Sequence, residues 1–119
     1  MTLLKLATVV VISFSWYWPA LGGVNGNPHG RVARGDPWSV WAERGAACPV
    51  DWPFGTQVVL DDVVYTCVDR GAFVGYTRDG RPIVDFLTET PAHNFRERIT
   101  VSVFFPGDVL RLHVGVDEP

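Results

Sequence analysis

Two aspartates stand where strand-like sequence does not ordinarily carry an acid. Asp69 ends an apolar stretch in "YTCVDRGAF", residues 65–73, and Asp85 lies inside "RPIVDFL", between Val84 and Phe86. Acids are depleted in strands, so Asp85 calls for a reason. One reading gives it to solvent between inward-facing neighbours. The other sets it against apolar side chains, where burial favours the protonated form that a general acid requires. Asp69 either opens a turn at Arg70-Gly71 or presents a carboxylate at the mouth of a groove. Asp61-Asp62, by contrast, separates two β-branched runs and is assigned turn duty alone.

Other chemistries have less to stand on. The chain has no His-x-x-x-His pair, no Cys-x-x-Cys and no spaced carboxylate loop, so no metal site is expected. There is no serine in a nucleophile elbow and no glycine-rich phosphate loop leading into a helix, so no cofactor is expected either. His29, His93 and His113 are scattered, and none forms a motif with a cysteine that it would activate. Ten basic residues spread among thirteen acids leave a net charge of −3, with no clustered basic face for nucleic acid.

These residues need elements to hold them, and 119 residues suffice for one domain with one core. The first twenty or so stand apart. Lys5 is their only charge, and Leu6 to Trp18 is apolar except for Thr8, Ser13 and Ser15. Such a run resembles a secretory signal, with Ala20-Leu21-Gly22 as a cleavage stretch, or else a membrane anchor with Trp16-Tyr17-Trp18 at the interface; a buried core helix is the alternative to export. Residues 1–22 are therefore read as an export segment, the protein as secreted or extracytoplasmic, and any membrane contact as made through this segment. Residues 23–37, rich in Gly, Asn and Pro, read as a flexible linker. Outside the cytoplasm, two cysteines suggest a Cys48–Cys67 disulfide; two buried thiols or a catalytic cysteine are the alternatives.

From Trp38 onward the pattern is β. Trp38 to Ala47 supplies a first strand, then "QVVL", "VVYTCV", "RPIVDFL", "ITVSVFF" and "VLRLHV" follow as short runs. "YTRDG" reads as a projecting hairpin with Asp79-Gly80 at its turn. A single short helix is expected, capped by Thr90 with Pro91 at its first position and Ala92 to Arg98 as its body. Short strands with Gly/Pro turns and one helix indicate a mainly β, small closed barrel over residues 38–116.

Taken together, "DWPFGTQVVL", "YTCVDRGAFV" and "RPIVDFL" resemble the three-aspartate (3D) domain. That domain is shared by the membrane-bound lytic transglycosylase A family and by small exported cell-wall proteins. Pro53-Phe54-Gly55-Thr56, Asp69-Arg70-Gly71 and Asp85-Phe86 match its motifs, and "AHNFRERITVSVF" resembles its helix and closing strand. The resemblance implies a six-stranded double-psi β-barrel without a cofactor, acting as a monomer on peptidoglycan. It implies cleavage of glycan strands with closure of a 1,6-anhydro ring, for which one carboxyl serves first as acid and then as base. Asp85 matches that acid/base and Asp69 its supporting acid, with Thr56, Arg70, Gly71 and Tyr76 binding substrate. A non-catalytic glycan-binding barrel is the alternative, in which Trp38, Trp41, Trp52 and Tyr76 are candidates for stacking on sugars. Cys48 stands where the family carries its first aspartate, Asp51 is out of register and reads as a surface turn residue, and Ala72-Phe73 makes the groove floor bulkier than the pattern.

Overall fold

Alternation decides which side of each strand faces inward. In "VISFSWY" the residues Ile12, Phe14 and Trp16 point one way, and Ser13, Ser15 and Tyr17 the other. The computed structural model describes residues 2–5, 7–18, 30–71, 75–89, 97–106 and 109–112, the first and last of these groups as backbone strands. Its strands are β1 (Thr2–Lys5), β2 (Thr8–Tyr17), β3 (Gly45–Ala47), β4 (Gln57–Leu60), β5 (Val63–Asp69), β6 (Ile83–Leu87), β7 (Glu97–Phe104) and β8 (Val109–Leu112), with one helical turn, α1 (Trp38–Trp41). Six strands close a barrel in the order β2-β6-β3-β5-β4-β7. The β2–β6 and β3–β5 pairs are parallel, and the other four contacts, including β2–β7, are antiparallel.

Phe86 fills the middle of the barrel, fully buried, with the rings of Tyr65, Trp16 and Phe14 at 4.6, 5.3 and 5.8 Å. Val58, Leu60, Val84, Val101 and Val103 complete the interior. Tilted and edge-to-face ring contacts of this kind add to the burial of large apolar area. A second, smaller cluster lies outside the wall. Val32, Val68 and Leu87 are buried there beneath Tyr17, Trp38, Trp41 and Ala42, so residues 30–44 form a strap across the barrel. The strap sits close because of Gly45, where a Cβ would meet the Trp41 Cβ at 2.7 Å.

Several expectations hold. The wall is β, the barrel is closed, and Cys48 and Cys67 form a disulfide. Asp61 and Asp62 make the two-residue β4–β5 turn, both at positive φ, as a primed hairpin turn requires. Asp79-Gly80 turns a hairpin that the Tyr76–Pro82 bridge closes, with Gly80 at φ 86°.

Others need correction. The apolar run expected as an export segment supplies β2, which is bonded to β6 on one side and β7 on the other. Ser13 and Ser15, which interrupt that run, are its outward positions. The barrel therefore begins at Thr8 rather than Trp38. The expected linker is partly the strap: Val32 is buried, Arg31 bridges Pro37, and residues 19–29 lie outside the described residues. Trp38–Trp41 is a helical turn, and only Gly45–Ala47 of the expected first strand is β. Glu97 and Arg98, placed at the end of a helix, open β7, where β-branched Ile99 and Val101 favour the ladder. The rest of that helix lies outside the described residues, as do His29, His93 and His113. The strand β8 pairs with β1 in a separate two-stranded sheet rather than in the barrel.

Deleting residues 1–22 removes a strand with partners on both sides. The expected outcome is loss of the cooperative urea transition followed by tryptophan fluorescence; an unchanged midpoint would contradict the barrel assignment of β2. Reduction of the Cys48–Cys67 bridge, which spans 19 residues, frees a loop in the unfolded chain. It is expected to lower the unfolding free energy by about 3 kcal/mol in the same experiment.

Candidate functional site

The register of four neighbouring strands puts the two aspartates in one row. Ala47 of β3 is the partner of Asp69 on β5 and of Asp85 on β6, and Asp85 is in turn the partner of Ser15 on β2. Directly paired residues point to the same face of a sheet. For Asp85 this is the outer face, since its neighbours Val84 and Phe86 face inward. Simple alternation would turn Asp69 inward beside Cys67. A register shift between Ala46 and Ala47 prevents this, because Cys67 opposes Ala46 while Asp69, two residues on, opposes Ala47. Such bulges re-aim side chains. Here Val68 joins the outer cluster and Asp69 faces outward with it. The Cα atoms of Asp69 and Asp85 are thus at most about 10 Å apart, two strand spacings.

The two acids differ in their surroundings. Asp69 is 7% exposed. Its Oδ2 accepts from Tyr17 Oη at 2.7 Å, and its Oδ1 accepts from the Ala33 and Arg70 amides at 2.7 and 2.9 Å. A buried carboxylate without such donors would be costly. Asp85 is half-buried and accepts from Ser15 Oγ at 2.5 Å. Ser15, Ala47 and Asp69 are all covered, so Asp85 is the member of the row that meets solvent. One residue earlier on the same face of β2, Ser13 Oγ accepts from Arg81 Nε at 3.1 Å, and Arg81 also pairs with Asp79 at 2.9 Å.

Tyr17 links the acids electrostatically. Burial pushes its phenol far above the usual tyrosine range, and the Asp69 charge, the hydrogen bond to Asp69 and the Asp85 charge push it further the same way. The phenol is thus within electrostatic range of both carboxylates. Tyr17 and Ser15 were not among the residues expected from the sequence, because the stretch holding them reads as an export segment. The signal available was the period-two spacing of Ser13, Ser15 and Tyr17.

The expected substrate-binding residues are placed otherwise. Thr56 is fully buried and its hydroxyl donates to the Pro53 carbonyl at 2.7 Å, so it closes a turn and is sealed from any ligand. The Arg70 guanidinium turns toward the loop after β3. It donates to the Trp52 carbonyl at 2.7 Å and more weakly to Cys48, and stands 4.1 Å from the Phe54 ring centre. Tyr76 donates to the Asp51 carboxylate, at 2.6 and 2.8 Å to its two oxygens, on the exposed surface. Asp51 is therefore a surface residue as expected, with a partner of its own. Gly71 is half-buried beside Arg70, whereas Ala72 and Phe73 lie outside the described residues. Of the aromatic stacking candidates, Trp52 is 5% exposed and packs edge-on against Phe105, while Trp38 and Trp41 cover the outer cluster. Among the described residues, no three His, Cys, Asp or Glu side chains gather as a metal site would require.

Tyr17→Phe removes the hydroxyl and leaves the ring. The expected outcome is a loss of about 1–3 kcal/mol at neutral pH, since Asp69 loses a donor. The pH dependence has a definite sign. A tyrosine whose pKa is raised in the folded state stabilises the protein fully below its unfolded value of 10.0, and this contribution falls away as the pH climbs above it. Urea unfolding of the wild type from pH 8 to 12 should therefore show a steeper decline above pH 10 than the same series for Tyr17→Phe.

Comparison of the chain with protein-family models, with curated proteins and with solved structures finds no match.

Proposed function

We propose that the outer-face row is a glycan site and that the protein is a lytic transglycosylase of peptidoglycan, with Asp85 as its general acid and base. The observation that carries this reading is the shared partner: Ala47 registers with both Asp69 and Asp85, so one reachable carboxyl stands beside one that is fixed. The sequence resemblance to the 3D domain supplies the substrate class and the reaction. A closed six-stranded barrel containing two parallel pairs agrees with the double-psi topology that the resemblance implies.

In the reaction, the protonated Asp85 carboxyl delivers its proton to the glycosidic oxygen as the C1–O bond breaks. The resulting carboxylate then takes the proton of the muramic acid C6 hydroxyl as that oxygen bonds to C1. Protons balance, no water is consumed, and one acid serves both steps. Ser15 orients Asp85 through its hydrogen bond. Asp69 touches no sugar. It holds Tyr17 and the strap in place and sets a negative charge behind the site, where positive charge develops on the ring. The buried disulfide suits an oxidising compartment, which supports action outside the cytoplasm.

A second reading has its own observation. Thr56, Arg70 and Tyr76 are committed to contacts within the protein, which leaves few groups to clamp a sugar for rapid chemistry. This favours a binding barrel, in which Asp85 accepts hydrogen bonds from sugar hydroxyls.

The test is incubation of the purified chain with peptidoglycan and mass analysis of the products. Anhydro-muropeptides that fall at least about 100-fold in Asp85→Asn are the expected result for an acid/base. Retention on the polymer with no product, the same for both proteins, would replace the enzyme with the binder.

A further inference from the structure

Three arginines gather on the strap. The guanidinium carbons of Arg34 and Arg44 stand 4.8 and 4.9 Å from the centre of the Trp41 ring. Trp41 is itself held by its indole N–H, which donates to Asp36 Oδ2 at 2.8 Å. Arg34 donates to the same oxygen through Nε and Nη2, and Arg31 donates through Nη1 to the Gly35 carbonyl at 2.8 Å. Arg44 donates through Nε to the Val40 carbonyl, also at 2.8 Å. All three side chains are exposed. A guanidinium carries five N–H donors, and these contacts engage only part of each set.

Two acids stand against the three cations, and one of them, Asp36, is ion-paired with Arg34 at 2.7 Å, which leaves an excess of positive charge. Asp36 is engaged by Arg34 and Trp41, whose hydrogen bonds hold its carboxyl below the usual range. Glu43 accepts from Thr88 Oγ1 at 2.9 Å and from the Glu89 amide at 2.8 Å, which directs it to the end of β6. The strap is pinned to the site as well. The Ala33 amide donates to Asp69, and the Arg34 amide donates to the Val68 carbonyl at 2.9 Å. An exposed cationic cluster fixed by an aromatic ring, on a chain of net charge −3, is placed to receive an anion.

We infer that Arg34 and Arg44 around Trp41, with Arg31 on the same strap, form an anion subsite that takes a carboxylate- or phosphate-bearing polysaccharide. The inference rests on the glycan reading of the row only for where the polymer continues. Anionic groups on a strand lying over Asp69 and Asp85 would be repelled there, and the arginines attract them at a neighbouring position. Planar guanidinium forks match carboxylate and phosphate oxygens in pairs, so recognition of either group is expected.

The test is calorimetric titration of the full chain with polygalacturonate as the carboxylate probe, polyphosphate as the phosphate probe and dextran as the neutral control. At least one anionic polymer should bind more tightly than dextran and weaken as salt is raised. Which polymer does so distinguishes the two anion sources. The double variant Arg34→Gln/Arg44→Gln should lose at least about tenfold in Kd, the size of one charge-assisted hydrogen bond. Arg34→Lys/Arg44→Lys should keep most of the salt-dependent affinity. Arg31→Gln, whose side chain donates to the Gly35 carbonyl, tests the same cluster with the Trp41 packing intact, and should weaken binding in the same direction. Equal binding of dextran, or binding untouched in both the double variant and Arg31→Gln, would overturn the subsite. Because the readout is binding, failure here is separable from failure of the anhydro-muropeptide assay.

Discussion

Asp69 accepts hydrogen bonds from three places that are remote in sequence or in direction: the Tyr17 phenol on β2, the Ala33 amide on the strap and the Arg70 amide just beyond β5. Its own carbonyl accepts from Cys48 N at 3.2 Å, beside the disulfide. A single carboxylate thus ties a barrel strand, the outer strap and the end of β5 to one point. The arrangement exists only because the β3–β5 register shifts at Ala46/Ala47. Without the shift Asp69 would face the interior with Cys67, away from the Tyr17 phenol and the Ala33 amide that satisfy it.

The rest of the site follows from that point. Val68 is turned outward with Asp69 and anchors the outer cluster, on which Trp38 and Trp41 settle. Trp41 in turn fixes Arg34 and Arg44. On the other side of Ala47, Asp85 needs no irregularity. Ordinary alternation places it outward between Val84 and Phe86, and the parallel partner Ser15 meets it directly. One acid is held by a distortion and is covered, while the other is held by regular pairing and meets solvent. In the proposed reaction that division gives positioning to Asp69 and chemistry to Asp85.

Much of this was legible in the sequence where a pattern had one meaning. "QVVL" and "VVYTCV" became β4 and β5, with Asp61-Asp62 turning between them, because β-branched alternation and a two-residue polar break leave little choice. The disulfide followed from an even count of cysteines in a chain read as exported. The N-terminal run was not legible in the same way, since a stretch of ten or so apolar residues suits a leader, a buried helix or a strand equally well. What separates them is the alternation of Ser13 and Ser15 with Ile12, Phe14 and Trp16, a weaker signal than overall hydropathy. Missing that strand also hid Tyr17 and Ser15, the partners of both acids. The commitment of Thr56 and Arg70 to backbone carbonyls could not be read at all, because a motif states which residues are present and not which way they turn.

The central claim is that Asp85, Ser15 and Ala47 form one outer face at which a glycan is received. Amide chemical-shift mapping with a soluble peptidoglycan disaccharide-peptide tests it most directly. The largest shifts are expected at Ser15, Ala47 and Asp85, with smaller ones at Ala33 and Arg34 on the strap. Shifts confined to the β4–β7 side of the barrel, around Val59 and Ser102, with Asp85 unmoved, would contradict it.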